Sequence, residues 1–351
     1  MKVLVIQQKM IGDVLASTII CETIKTIHPD WKIHYMIEPS TLAVVENNPF
    51  IDHIVFFEKS KHNGLSNLIR FGKQLQKENY DAVIDAYGKW ESIIPAYFSG
   101  AKTRIGNQKW YTKLLFTETI VPKKNIEGSA IAHRLQLAEK LIGTNSSVVF
   151  PKIYLSESEI TSAQKNIQEK LDTSKPIFMI SVLGSGSNKS LPAQQMAQTL
   201  DDIAATNNSI QLLFNFMPNQ EAEAKAIYDA CQPETQQQII FDFYTKGLRT
   251  FLAVLSQCDA MIGNEGGAVN MAKALNIPTF TIFSPWINKS SWNMLTDDEN
   301  HVAVHLNDYH PEIYNGQHSK HFKKQAMDLY KKLTPDLYRA PLIDFIKRIT
   351  S

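Results

Sequence analysis

The sequence predicts an α/β protein built from two Rossmann-like domains, each a doubly wound parallel sheet. Short apolar runs alternate with segments of helical periodicity, which is the pattern of parallel strands joined by helices. The alternation weakens between about residues 144 and 176 and restarts at Pro176. With 351 residues, 44% of them hydrophobic, the chain is long enough to form two separate cores.

The first half opens with the strand KVLVI at residues 2–6, after which apolar residues recur at helical spacing from Ile11 to Ile20. Three further strand and helix pairs follow, with strands at 32–37, 53–57 and 81–85 and helices near 40–47, 65–79 and 90–98. We therefore assign residues 1–155 to an N-terminal domain.

The second half repeats this organisation after a polar connection that contains a predicted helix near 156–171. Its predicted strands are 176–182, 211–216, 239–243, 260–263 and 278–283, and its helices begin after Ser190 and near 219, 248 and 267. We assign residues 172–334 to a C-terminal domain, and we expect a final helix at 335–351 to pack back on the N-terminal domain. Ligands of open parallel sheets bind beyond the carboxyl ends of the strands, so two facing domains predict a site in the cleft between them.

Charge and cysteine content narrow the class of protein. Lys and Arg total 36 against 35 for Asp and Glu, interspersed along the chain, so no overall field recruits nucleic acid. The three cysteines have no CxxC spacing, which argues against a zinc module or a disulfide framework. The sequence shows no signal-peptide pattern and no transmembrane run, so we expect a cytoplasmic protein. Peripheral contact with the inner membrane face is compatible with this expectation.

The segment GNEGGAVNMAKAL, residues 263–275, follows a buried strand and opens a helix. Gly266 and Gly267 fall at the helix N-terminus, where unpaired N–H groups and the positive end of the helix dipole favour a phosphate group. Glu265 would then accept hydrogen bonds from sugar hydroxyls, and Asn270 would reach the same ligand. The alternative is a tight strand-to-helix turn in which Glu265 is only the cap.

A second glycine-rich loop, VLGSGSNKSLP at residues 182–192, also joins a strand to a helix. It fails the GxxxxGK[ST] pattern because Asn188 precedes Lys189, and it lacks the third glycine of GxGxxG, so the kinase and dehydrogenase classes are disfavoured. Backbone donors, the Ser185 and Ser187 hydroxyls and the Lys189 ammonium suit a diphosphate leaving group. A loop without a ligand is the alternative.

Asp13 follows Gly12 at the start of the first predicted helix. Its carboxylate is either a simple N-terminal cap or a general base that takes the proton of an attacking hydroxyl. The five histidines between residues 301 and 321 have no metal-ligand spacing, so we expect neither a metal site nor a cofactor.

Together these three segments resemble glycosyltransferase family 9, the bacterial heptosyltransferase family of lipopolysaccharide core assembly, over almost the whole chain. The resemblance rests on residues 12–15 after the first strand, on residues 184–187 with Lys189 and Pro192, and on residues 263–275 with Pro278 and the turn at 283–285.

The resemblance implies a GT-B fold whose first domain holds the acceptor and whose second domain holds the nucleotide-activated sugar. It also implies inverting, metal-independent transfer, with Asp13 as the catalytic aspartate and Lys189 as the phosphate-contacting lysine. Family members commonly have Asp-Thr-Gly followed by His, where this chain has Glu265-Gly266-Gly267 and Asn270. We expect the donor pocket to be retained in outline.

The expected reaction is transfer of a sugar, with heptose from ADP-heptose as the donor that the resemblance suggests, to a lipopolysaccharide core or related glycolipid. Lysines in the loops at 58–66 and 86–112 fit an acidic or phosphorylated acceptor, and a solvated face explains them nearly as well. Two alternatives stay open: a nucleotide-sugar epimerase of the same fold, and a non-catalytic nucleotide-sugar-binding protein.

Overall fold

A computed structural model describes residues 1–112, 114–121, 129–243, 245–293 and 299–351. The chain divides into two compact units, Met1–Tyr154 and Leu155–Ser351.

The first unit is a six-stranded parallel sheet with helices between its strands. The strands are β1 Lys2–Ile6, β2 Lys32–Ile37, β3 His53–Phe56, β4 Ala82–Asp85, β5 Thr103–Asn107 and β6 Glu118–Ile120. The helices are α1 Ile11–Ile27, α2 Lys59–His62, α3 Leu65–Gln76, α4 Trp90–Phe98 and α5 Ser129–Ile142, with a 3-10 helix at Pro39–Val44 where a longer helix was expected. The strand order β3-β2-β1-β4-β5-β6 reverses direction between β1 and β4, so the loops after these two strands flank a topological switch point.

The second unit has the same design. Its strands are β7 Ile177–Ser181, β8 Gln211–Asn215, β9 Ile239–Ile240, β10 Ala260–Asn264, β11 Thr279–Ile282 and β12 His301–Val304. The strand order is β12-β11-β10-β7-β8-β9, with every pairing parallel, which places the switch point between β7 and β10. The predicted strand at 239–243 ends after two residues, as an edge strand with β8 as its neighbour.

Helices cover both sheets and complete the second unit. The longer ones are α6 Glu157–Gln168, α7 Ala193–Thr206, α8 Glu221–Ala230, α9 Pro233–Gln238, α10 Leu248–Leu255, α11 Gly267–Ala274 and α16 Pro335–Thr350. The short ones are α12 Lys289–Trp292, α13 Leu306–Tyr309, α14 Pro311–Tyr314 and α15 Ala326–Tyr330, with 3-10 helices at Ser187–Lys189, Pro218–Gln220 and Ser319–Gln325. The prediction of two Rossmann-like, doubly wound parallel sheets is confirmed.

The polar helix α6, in the predicted connection, belongs to the second unit. Ser156 and Glu159 form a reciprocal capping box that fixes its first turn. The Glu159 carboxylate also accepts two hydrogen bonds from Arg249 of α10, both of 2.6 Å. This bidentate contact holds the pKa of Glu159 down to about 2.

The C-terminal helix α16 also belongs to the second unit, where Tyr338, Leu342 and Phe345 are buried in that unit's core. The Tyr338 hydroxyl lies 2.9 Å from the Thr199 hydroxyl of α7, and Arg339 Nε donates to Asp202 over 2.9 Å. The apolar side of this helix is therefore used within the second unit, and its packing against the N-terminal domain stays a prediction.

Candidate functional site

Both glycine-rich segments of the second unit lie at its switch point. The loop at 182–190 follows β7, and Glu265 and Gly266 follow the neighbouring strand β10. The carboxyl ends of parallel strands share one edge of the sheet, so the two loops are brought together by topology rather than by sequence proximity.

Asn264, the last residue of β10, ties these loops together. Its fully buried amide donates to the backbone oxygens of Ser181 and Val182 over 3.0 and 2.9 Å, and its Oδ1 accepts from the Leu191 N–H over 2.7 Å. Gly263 has a φ of 131°, and a Cβ there would lie 2.4 Å from the Ser181 oxygen. The close approach of β10 to β7 at this point therefore requires glycine.

The loop at 182–192 is fixed by hydrogen bonds at both ends. The Ser190 hydroxyl accepts from the Gly184 N–H over 2.9 Å, and a Cβ on Gly184 would lie 2.2 Å from the Lys189 backbone oxygen. At the far side, Ser284 Oγ and Trp286 Nε1 both donate to the Asn188 oxygen, over 2.7 and 2.8 Å. The turn that carries Lys189 is thus held in place before any ligand binds.

Two of the predicted site residues, Lys189 and Glu265, are in direct electrostatic contact. Lys189 Nζ lies 3.4 Å from Glu265 Oε1, although the residues are far apart in sequence. Glu265 is almost completely buried, and this burial raises the pKa of its carboxyl group while the Lys189 ammonium opposes the rise. The pair places one cation and one hydrogen-bond acceptor at the carboxyl edge of the sheet.

The remaining predicted site residues of this unit lie close in sequence to Lys189 or to Glu265. Ser185 and Ser187 are exposed in the glycine loop. Gly266 is the N-cap of α11 and Gly267 its first residue, so the first-turn N–H groups have no acceptor within the helix. A Cβ on Gly266 would meet nothing within 4 Å, which leaves room for a ligand against this backbone. Asn270 is half-buried in the first turn.

Asp13 lies in the first turn of α1, in the first unit, directly after the loop that follows β1. Its Oδ1 accepts a hydrogen bond of 2.8 Å from Arg134 Nη2 of α5. The buried Arg134 guanidinium also donates to Ser17 Oγ and to the Ala130 oxygen, each over 2.8 Å. One carboxylate oxygen of Asp13 is therefore fixed, and its side chain remains partly exposed.

A second carboxylate, Asp85, ends β4 on the other side of the same switch point. It is fully buried and accepts hydrogen bonds from the Tyr87 and Gly88 N–H groups and from the Ser92 hydroxyl, over 3.0, 2.8 and 2.8 Å. Burial raises the pKa of Asp85 to about 6 in spite of these donors. Asp85 shapes the loop between β4 and α4, beside the loop that leads to Asp13.

The raised pKa of Asp85 predicts that this residue lowers the stability of the folded protein more as pH rises. Because its folded pKa of about 6 exceeds the ordinary value of 3.8, the folded state binds more protons between these values, so its contribution to the free energy of unfolding falls as pH rises. Between pH 4 and 7, we expect the stability of Asp85→Asn to rise by about 2 kcal/mol relative to that of the unsubstituted protein. Urea unfolding at a series of pH values measures this difference, with the exposed Asp30→Asn as control. Parallel pH profiles for Asp85→Asn and the unsubstituted protein would contradict the account.

Sequence reasoning identified Asp13, Lys189, Glu265 and the glycines but missed the residues that hold them. Asn264 and Asp85 carry a usable signal, because each is a polar residue at the carboxyl end of a predicted buried strand. Arg134 carries none, since its partner Asp13 is 121 residues away.

Two kinds of feature are absent from the described residues. Among them, no group of three or more His, Cys, Asp and Glu side chains is placed to hold a metal ion. None of the helices in this part of the chain is long and apolar enough to cross a membrane.

Residues 68–321, which include both loops of the second unit and Arg134, match the family model described as glycosyltransferase family 9 (heptosyltransferase). The chain belongs to glycosyltransferase family 9. A family 9 chain is a glycosyltransferase, which disfavours the epimerase and the non-catalytic alternatives.

Similar proteins agree with this family assignment. The chain is 23% identical over 295 residues to lipopolysaccharide heptosyltransferase 1 of Campylobacter coli, covering 81% of this chain and 84% of that protein. A family 9 glycosyltransferase structure from Veillonella parvula is 17% identical, with a TM-score of 0.75 and coverage of 94% of this chain and 97% of that one. E. coli ADP-heptose lipopolysaccharide heptosyltransferase II is 16% identical, with a TM-score of 0.71 and coverage of 95% and 99%. These neighbours confirm the GT-B fold class.

Proposed function

We propose that this family 9 glycosyltransferase transfers a sugar from a nucleoside diphosphate to a hydroxyl of a lipopolysaccharide core or related glycolipid, with inversion at the anomeric carbon and without a metal. The observation that carries the proposal is the switch point of the second unit, where Lys189 and Glu265 pair beside the open first turn of α11. ADP-heptose is the proposed donor, because the related E. coli enzyme is described as an ADP-heptose lipopolysaccharide heptosyltransferase.

The second unit is proposed to hold the donor. Lys189, the Ser185 and Ser187 hydroxyls and the Gly266 and Gly267 amides would bind the diphosphate. Their charges and dipoles are in place before the reaction, so they stabilise the negative charge that develops on the leaving group.

Sugar binding is assigned to the polar groups beside the diphosphate. Glu265 would accept hydrogen bonds from the sugar hydroxyls, which suits a buried carboxylate with one cationic neighbour. Asn270, in the first turn of α11, would contribute a neutral amide. Neither residue matches the aspartate and histidine common in the family, so we expect the pocket to differ in its sugar contacts while keeping the diphosphate position.

The first unit is proposed to hold the acceptor, with Asp13 as the general base. The acceptor oxygen forms a bond to the anomeric carbon, the bond from that carbon to the diphosphate oxygen breaks, and the hydroxyl proton passes to the Asp13 carboxylate. The hydrogen bond from Arg134 to Asp13 Oδ1 leaves Oδ2 for the acceptor. Arg134 acts in this scheme as a positioning residue.

A thermal-shift screen against ADP, GDP, UDP and CDP tests donor binding, since a ligand that binds only the folded state raises Tm. Selective stabilisation by ADP supports ADP-heptose as the donor. Preference for another nucleotide replaces that donor but keeps the transferase, and the absence of any response would contradict the proposed function.

We also propose a cytoplasmic enzyme that makes peripheral contact with the inner membrane face. Trp110 and Leu114 are 88% and 91% exposed, and Tyr111 packs against both Trp90 and Trp110. The exposed Lys89 immediately precedes Trp90. Exposed aromatic and aliphatic side chains next to lysine are typical of segments that bind anionic membrane surfaces.

The double substitution Trp110→Ser, Leu114→Ser is expected to weaken binding to vesicles containing an anionic phospholipid by about tenfold, because two exposed side chains lose their apolar contact with lipid. Co-sedimentation measures it, with phosphatidylcholine vesicles as the uncharged reference. Met217→Ser, at an exposed position of the second unit, is the matched control. Equal sedimentation of the double variant and the unsubstituted protein would contradict the membrane contact.

A further inference from the structure

Trp286 has two ammonium groups near its ring in the second unit. Lys189 Nζ lies 5.7 Å from the ring centre, and Lys323 Nζ, from the 3-10 helix Ser319–Gln325, lies 4.8 Å from it. The ring is fixed to the turn that carries Lys189, because Trp286 Nε1 donates to the Asn188 oxygen over 2.8 Å. A residue far along the chain is thus brought to the loop that we assign to the diphosphate.

We propose that Lys323 is a second diphosphate-binding cation, acting beside Lys189. The inference rests on the proposed function, because it assigns a further residue to the donor site of the same transferase. Lys323 lies outside all three glycine and aspartate segments from which the sequence predicts that site.

The charges around Trp286 support this role. Lys189 is partly neutralised by Glu265 at 3.4 Å, whereas no described carboxylate lies within 4 Å of Lys323 Nζ. Two ammonium groups near the same ring repel each other, and an anion bound close to them lowers that repulsion.

The charge of the leaving group favours a second cation at the site. A departing nucleoside diphosphate spreads its charge over two phosphates, and Lys189 shares its own charge with Glu265. Asn270 brings no charge to the first turn of α11. Lys323 would therefore restore a net positive field on the diphosphate, while the Trp286 ring holds its ammonium group near the loop.

Isothermal titration of Lys323→Met with inorganic pyrophosphate and with ADP tests the inference, since pyrophosphate reports on the diphosphate position whatever the nucleotide base. Lys324→Met is the matched control, as an adjacent exposed lysine with the same change in charge. We expect Lys323→Met to raise the Kd for both probes by about tenfold, the loss of one charge-assisted contact. Lys324→Met should stay within about twofold, and Lys323→Arg should recover most of the affinity.

The salt dependence separates a ligand contact from a packing role. We expect the dependence of the pyrophosphate Kd on salt concentration to be shallower for Lys323→Met than for Lys324→Met, because one fewer cation meets the anion. Equal Kd values for the two variants, or a raised Kd with unchanged salt dependence, would overturn the inference.

Two further outcomes separate this inference from the proposed function. If Lys189→Met loses binding while Lys323→Met retains it, the proposed function stands and Lys323 is excluded from the site. If the unsubstituted protein binds neither ADP nor pyrophosphate, both proposals fall together.

Discussion

Replacement of Asp13 by Asn is expected to lower kcat by about 10²- to 10⁴-fold, the usual contribution of a positioned general base. The amide keeps the shape of the side chain but cannot take the proton from the acceptor hydroxyl. Arg134 retains its hydrogen bond to Ser17 of α1, so α1 and α5 should stay joined. Sugar transfer followed at saturating donor and acceptor measures the effect.

A measurement of donor binding distinguishes the loss of the general base from a general loss of structure. Lys189 and Glu265 belong to the other unit of the chain, so the Kd for ADP should be unchanged in Asp13→Asn. Asp30→Asn makes the same change in charge at an exposed loop position and should keep full turnover. Near-normal kcat in Asp13→Asn would exclude Asp13 as the base.

Replacement of Lys189 by Met is expected to lower kcat/KM by about 10²- to 10³-fold, comparable with removal of one preorganised donor from a site of developing negative charge. The loss should appear in kcat as well as in KM, because the diphosphate gains charge as its bond to the sugar breaks. Initial rates over a range of donor concentrations separate the two constants.

The same substitution leaves the Glu265 carboxylate buried without its cationic partner. We therefore expect the loss of donor affinity in Lys189→Met to exceed the loss that removal of one contact would cause. The reason is that an unpaired carboxylate then faces the diphosphate. Lys225→Met, at an exposed α8 position, is the control for loss of a lysine. An unchanged kcat with a raised KM alone would show that Lys189 binds the ground state without stabilising the transition state.

The architecture follows from the sequence because parallel, doubly wound sheets have a strong local signature. The runs KVLVI and IFMIS are central strands whose buried apolar side chains leave little ambiguity, and helical periodicity fills the intervals between strands. The Asp13, glycine-loop and GNEGG segments were found for a related reason, as each directly follows such a strand.

Contacts between distant segments could not be derived in this way. The residues of the Arg134–Asp13 and Lys189–Glu265 pairs are far apart in sequence, and no helical or strand periodicity relates them. Only the strand order brings them together. The C-terminal helix shows the same limit, since its apolar face predicts burial but not the surface against which it packs. Asn264 is an intermediate case. Its position at the end of β10 can be predicted from the sequence, whereas its three backbone hydrogen-bond partners cannot.

The most direct test of the account is an assay of purified protein with ADP-heptose, with and without a truncated lipopolysaccharide-core acceptor, in a buffer containing EDTA. The mass of the acceptor and the amount of ADP released are followed together. We expect the acceptor to gain one heptose for each ADP released, and Asp13→Asn to slow both changes by about 10²- to 10⁴-fold. Intact donor and acceptor would contradict the proposed donor and acceptor pair, and conversion of ADP-heptose in the absence of any acceptor would contradict glycosyl transfer as the reaction.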